Sequence, residues 1–182
     1  MTIYTELTPN PATLKFIVDR VLLPQGTADF PSAEDAAGKS KLAERLFKYP
    51  FVQGIFIGRN FITVTKDEGS KWEDVIPVIK EDLGAYLHSG EPIVEGVETV
   101  SIEEDDDETV KKIKTILDEQ VRPAVAMDGG DIIYEGFDAG VLRLRLQGSC
   151  SGCPSSTVTL KQGIESLMKR MFPNEISSVE GV

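Results

Sequence analysis

Cys150 and Cys153 are the only cysteines in the 182-residue chain, and they sit in the run Gly148-Ser149-Cys150-Ser151-Gly152-Cys153-Pro154. Two thiols at this spacing suit metal ligation or thiol–disulfide exchange. The count is short for a self-contained metal site. A tetrahedral zinc or an iron–sulfur cubane takes four ligands of this class, and one chain supplies two. A second copy of the chain is the simplest source of the other half, because a two-fold axis sets an identical pair opposite the first. The spacing therefore predicts an exposed site at a subunit interface. Gly148, Ser149, Ser151 and Gly152 leave the backbone free to wrap an inorganic group. Pro154 is expected to open a helix, and the partial positive charge at its N-terminus would favour the thiolate form.

Other uses of the pair fare less well on the same physics. A disulfide within Cys-x-x-Cys closes too short a loop to constrain much unfolded chain. A thioredoxin-like redox pair also stands between a strand and a helix, yet only 29 residues follow Cys153, little for the sheet that fold requires. A thiol–disulfide oxidoreductase and a zinc-bridged structural dimer stay open beside a shared cluster. No other catalytic constellation stands out, and the chain is not expected to be an enzyme. His88, the only histidine, is expected to be solvent-exposed. Asp128 and Asp131 flank Gly129-Gly130 and read as turn capping. There is no Walker-type phosphate loop.

The elements that must hold the loop follow from periodicity. Val110, Ile113, Ile116, Leu117 and Val121 recur at helical spacing, and Pro123 is expected to end that helix. Asp128-Gly129-Gly130-Asp131 reads as a turn before an extended Ile132-Ile133-Tyr134. Leu142, Leu144 and Leu146 alternate with Val141, Arg143 and Arg145, a half-buried strand that runs into Gly148. Leu160, Ile164, Leu167, Met168 and Met171 form one helical face, with both methionines assigned to packing. A short strand is expected to close the chain. Upstream, Leu14, Phe16 and Val18 alternate with Lys15, Ile17 and Asp19. Ile55–Ile57 and Phe61–Thr65 flank Gly58-Arg59-Asn60 as a hairpin. Leu42, Leu46 and Phe47 suggest one helix, and the apolar positions from Trp72 to Leu87 suggest another.

Charge divides the chain. Residues 89–108 hold nine acidic residues and no lysine or arginine, so −9 of the net −11 lies there. Such a run reads as a solvated linker. The expected organisation is α+β, with two small domains at residues 1–88 and 109–182 joined by an acidic linker at 89–108. The second domain is of helix-strand-strand-helix-strand type. The charge balance predicts no nucleic-acid partner, and no apolar run approaches the roughly 20 residues of a membrane span. The absence of an arginine-rich presequence predicts a cytoplasmic protein.

These residues resemble a known family. Arg122-Pro123, Met127-Asp128-Gly129-Gly130-Asp131 and Gly148 through Ser156 look like the C-terminal NifU-like domain of Nfu-type iron–sulfur proteins. Thr8-Pro9-Asn10-Pro11-Ala12-Thr13-Leu14-Lys15-Phe16 and Gly54-Ile55-Phe56-Ile57-Gly58 look like the Nfu N-terminal domain. The resemblance implies a carrier or scaffold for a 4Fe–4S cluster bridged between two subunits, with Cys150 and Cys153 of each chain as ligands. It also implies homodimer formation on cluster binding, an upstream cluster scaffold and apo iron–sulfur client proteins as partners. The N-terminal domain is expected to recognise those partners.

Overall fold

A computed structural model describes residues 2–95, 106–151 and 154–181, the last segment with residues 154–156 as helix backbone. The chain divides into two compact units, Met1–Thr99 and Val100–Val182. Both mix helices with sheet, as the α+β expectation has it.

The first unit is built on β1 (Ile3–Leu7), β2 (Thr13–Val18), β3 (Ala28–Phe30), β4 (Val52–Ile57) and β5 (Phe61–Lys66), in the order β1-β2-β5-β4-β3 with every described pairing antiparallel. Helices α1 (Ala33–Ala36), α2 (Lys41–Leu46) and α3 (Trp72–Ser89) complete it. Leu14, Phe16, Ile55, Ile57, Ile62 and Val64 from the strands share one core with Leu42, Leu46, Ile79 and Leu83 from the helices. The expected hairpin is β4–β5. Gly58 donates its N–H to Phe61 O at 2.9 Å, and the Phe61 ring lies where a Cβ on Gly58 would stand, so a larger residue there would have to displace that ring. Pro77 falls at the sixth residue of α3.

Folded structure continues into the segment expected as linker. Beyond residue 88, Ile93 is buried and its carbonyl accepts from Ser40 Oγ at 2.6 Å. Tyr86 OH donates to Pro92 O at 2.7 Å, and Glu95 N–H donates to Lys39 O at 2.6 Å. The far end is also anchored. Asp106 pairs with Lys114 at 2.6 Å, and Asp107 caps the next helix by accepting from Val110 N–H at 2.8 Å. Composition marks solvation, but it cannot show a few apolar or capping residues tying both ends of an acidic run to folded units. Residues 96–105 lie outside the described residues.

The second unit runs α4 (Glu108–Ile116), a π-helical turn at Leu117–Val121, α5 (Arg122–Met127), β6 (Gly130–Asp138), β7 (Val141–Gly148), α6 (Pro154–Met171) and β8 (Ser178–Gly181). Strands β6 and β7 are antiparallel, and β8 joins β7 in parallel. Pro123 does not end the first helix. The wide turn before it, in which Arg122 N–H reaches Leu117 O, relieves the clash a proline ring otherwise makes with the carbonyl four residues back. The helical path therefore continues to Met127. Ile113, Leu117, Val121, Val125, Ile132, Leu142, Leu144, Ile164 and Met168 form the core. Met171, assigned to packing, is 45% exposed, and Phe172 fills that end of the core instead.

Candidate functional site

The cysteine loop leaves β7 at Gly148, which adopts φ +67 in the left-handed region and turns the strand. Gly148 pairs with Gly130 in the β6–β7 register. The loop is pinned from two sides. Ser149 N–H donates to Gly129 O at 3.3 Å, and Ser149 Oγ donates to Asp128 O. On the other side, Thr157 Oγ1 in α6 donates to Cys150 O at 3.0 Å. Ser151 closes the turn by donating from N–H and Oγ to Gly148 O at 3.1 and 2.9 Å. The Asp-Gly-Gly turn and the start of α6 together place Cys150.

Cys150 is 4% exposed and belongs to the core with Ile132 and Ile164. This corrects the expectation of an exposed site for that residue. Its sulfur sits against Gly130. A Cβ there would lie 2.9 Å from Cys150 Sγ and closer still to the carbonyl oxygen of Gln147. Burial pushes the thiol up to about 11. The Ser149 hydroxyl opposes the shift, and the Asp128 and Asp131 carboxylates reinforce it. Desolvation of the charged form is the largest cause of the shift. Cys153 and Gly152 lie outside the described residues.

Sequence reasoning missed the charged group beside this loop. Asp131 is a buried residue of β6 gripped by Arg122. Arg122 Nε and Nη2 donate to Asp131 Oδ1 and Oδ2, each at 3.1 Å, and Nη1 donates to Asp118 at 3.0 Å. A two-pronged grip of this kind stabilises a buried carboxylate that alone would be costly. The available signal was an aspartate opening the apolar run Ile132-Ile133-Tyr134, with Arg122 the only cation between residues 115 and 142. His88 is exposed, as expected, and its Nδ1 lies 2.7 Å from Gly84 O within α3. Among the described residues, no group of three or more His, Cys, Asp or Glu side chains assembles as a metal site.

Comparison with known proteins gives the family. Residues 3–90 match the model described as scaffold protein Nfu/NifU N terminal, and residues 113–180 match the NifU-like domain. The human protein named NFU1 iron-sulfur cluster scaffold homolog, mitochondrial, is 46% identical over 186 residues, covering 100% of this chain and 72% of its own. The Drosophila sechellia protein of the same name is 44% identical over 186 residues, covering 100% of this chain and 65% of its own, so this chain spans just under two thirds of that relative. A solution structure of a NifU-like protein from Saccharomyces cerevisiae, 29% identical, covers 52% of this chain and 85% of that one with a TM-score of 0.47. Because the relatives carry mitochondrial names, the cytoplasmic expectation is overturned. That expectation rested on the absence of an arginine-rich presequence, which was no guide to location. With both domain models in order and identity of 46% along its whole length, the chain belongs to the Nfu family of scaffold proteins.

Proposed function

We propose that the chain carries a 4Fe–4S cluster between two copies of itself, each contributing Cys150 and Cys153, and passes it to apo-proteins. The observation that carries this reading is the count: two cysteines in the chain, three residues apart within the NifU-like region. Iron needs the thiolate, and the cubane needs four of them. Cys150 without a cluster sits in the core, so loading must draw its sulfur out past Gly130. Reburial of that side chain favours release. The loop is held by hydrogen bonds from Ser149, Ser151 and Thr157, each contributing about 1 kcal/mol, and by the packing of Cys150 in the core.

Transfer is ligand exchange. A client thiolate forms a new iron–sulfur bond as the bond to Cys150 or Cys153 breaks, and the proton lost by the client thiol is taken up by the departing cysteine. No electron moves and no acid–base catalyst is required, so the role is not enzymatic. The cluster is cargo, received from an upstream scaffold, and the first unit selects the clients. The relatives named as iron-sulfur cluster scaffold homologues support the assignment.

Anaerobic reconstitution with iron and sulfide, followed by metal analysis and sizing of one sample, tests the reading. The expected product is a brown dimer with about two iron and two sulfide per chain, the ratio of one shared cubane. A colourless protein that binds zinc at one ion per dimer, or reduces a model disulfide as a monomer, would replace it with one of the other uses of the same thiols.

A further inference from the structure

In the apolar row of α6, Met171 alone is exposed, while Leu160, Ile164, Leu167 and Met168 are buried or half-buried. It forms part of a groove of about 320 Å³ between α4 and the last turn of α6, lined by Lys111, Lys112, Thr115, Ile116, Met171 and Phe172. The floor is apolar and two lysines border it. No acidic residue lines it among the described residues, and Lys169 and Arg170 stand on the adjoining turn of α6. Residues 109–182 carry nine basic and nine acidic side chains, so the basic character of this edge is local. The 18 residues of α6 set Met171 roughly 25 Å from the helix start beside the cysteine loop. An occupant of the groove would leave that loop free.

We propose that this groove docks an acidic amphipathic helix of a partner protein. Apolar side chains at i, i+3, i+4 and i+7 of such a helix would cover Ile116, Met171 and Phe172, while its carboxylates meet Lys111 and Lys112. The charge is complementary, and two helices form the walls, the usual setting of a helix-in-groove contact. The proposal stands on the groove alone and does not require the chain to hold a cluster.

The test uses the full chain without cluster. The probe is a fluorescein-labelled 16-residue peptide of Glu and Ala with four leucines at i, i+3, i+4 and i+7, read by anisotropy. Saturable binding is expected, with Kd on the order of 10–100 µM. Met171→Glu and the pair Lys111→Glu/Lys112→Glu should each weaken it at least about tenfold. Cys150→Ser should leave it unchanged, and a peptide with Lys in place of Glu should not bind. All these positions except Cys150 border solvent, and far-UV circular dichroism checks folding; should Met171→Glu misfold, the lysine pair decides. Absence of saturation overturns the proposal, as does equal binding by Met171→Glu. Equal binding of a peptide with Ser in place of Leu reduces the groove to a charge effect and overturns it too. A chain dimer that Met171→Glu dissociates, or anionic vesicles that bind more tightly than the peptide, would assign the face to a second copy or a lipid surface instead.

Discussion

Gly130→Ala should unfold the second unit early while leaving the first untouched. Gly130 is not in the left-handed region, so alanine meets no backbone strain there and, by stiffening the unfolded chain, would by itself stabilise by about 0.4–1 kcal/mol. The cost is steric. The added methyl would stand 2.9 Å from Cys150 Sγ, about 0.5 Å inside ordinary contact, and would press further into the Gln147 carbonyl. That carbonyl belongs to β7, paired with β6 along its whole length, so it cannot step aside as a flexible side chain would. Overpacking of this kind costs about 1–3 kcal/mol. Subtracting the gain from the cost leaves a net loss of about 1.3 kcal/mol, and a unit of this size should lose roughly 5–10 °C in Tm. The chain supplies its own control, because its single tryptophan, Trp72, lies in α3 of the first unit. Tryptophan fluorescence should report an unchanged midpoint while circular dichroism at 222 nm shows the second transition moved down. Gly136→Ala, in the same strand with open space around its Cβ, should be close to neutral. Equal midpoints for Gly130→Ala and Gly136→Ala would refute the reasoning. The same substitution should displace the Cys150 sulfur and lower cluster loading.

Three further outcomes are expected. Gly163→Ala, exposed in mid-α6 with no atom near its Cβ, should stabilise the second unit by about 0.5–1 kcal/mol, read as a raised urea midpoint; a lowered midpoint would contradict the open space seen there. Arg122→Leu should cost about 3–5 kcal/mol by leaving Asp131 buried without its cation, whereas Arg122→Leu combined with Asp131→Leu should recover much of it; a double variant no better than the single one would rule out the unpaired charge as the cause. Cys150 should give the second unit a pH-dependent stability. Its thiol is raised to about 11 when folded, so the contribution is complete below the unfolded value near 9 and is lost as pH rises through 11, a total of roughly 2–3 kcal/mol. Urea midpoints of the native chain and of Cys150→Ala, compared from pH 8 to 11, should converge as the pH rises; parallel curves would argue against a buried thiol.

Periodicity was a good guide wherever one face of an element meets one core. Leu142 and Leu144 are buried and Arg143 is exposed, as strict alternation demands. The β4–β5 hairpin stands where Gly58-Arg59-Asn60 announced it. Pattern was a poor guide for short or edge elements. β1, β3 and α1, of five, three and four residues, carry too few apolar positions to register. It also failed at Pro123, where a local widening of the helix absorbs the proline. Met171 carries the right spacing, yet the helix outruns the core it packs on, and spacing cannot say where that core ends.

For the site, residue type and spacing alone raised the candidate chemistry: two cysteines in one glycine-serine run would supply half a tetrahedral ligand set, an arithmetic that needs no coordinates. The environment of the thiol came from contacts between distant segments. Burial of Cys150, its raised pKa and its need for glycine at position 130 arise because β6, β7 and α6 converge on one loop. The Arg122–Asp131 grip likewise joins residues nine apart that only the turn through Gly129 brings together. Ligand identity is a local property of the chain, whereas solvation and electrostatic field are set by whatever the fold packs against it, and only the tertiary structure decides that.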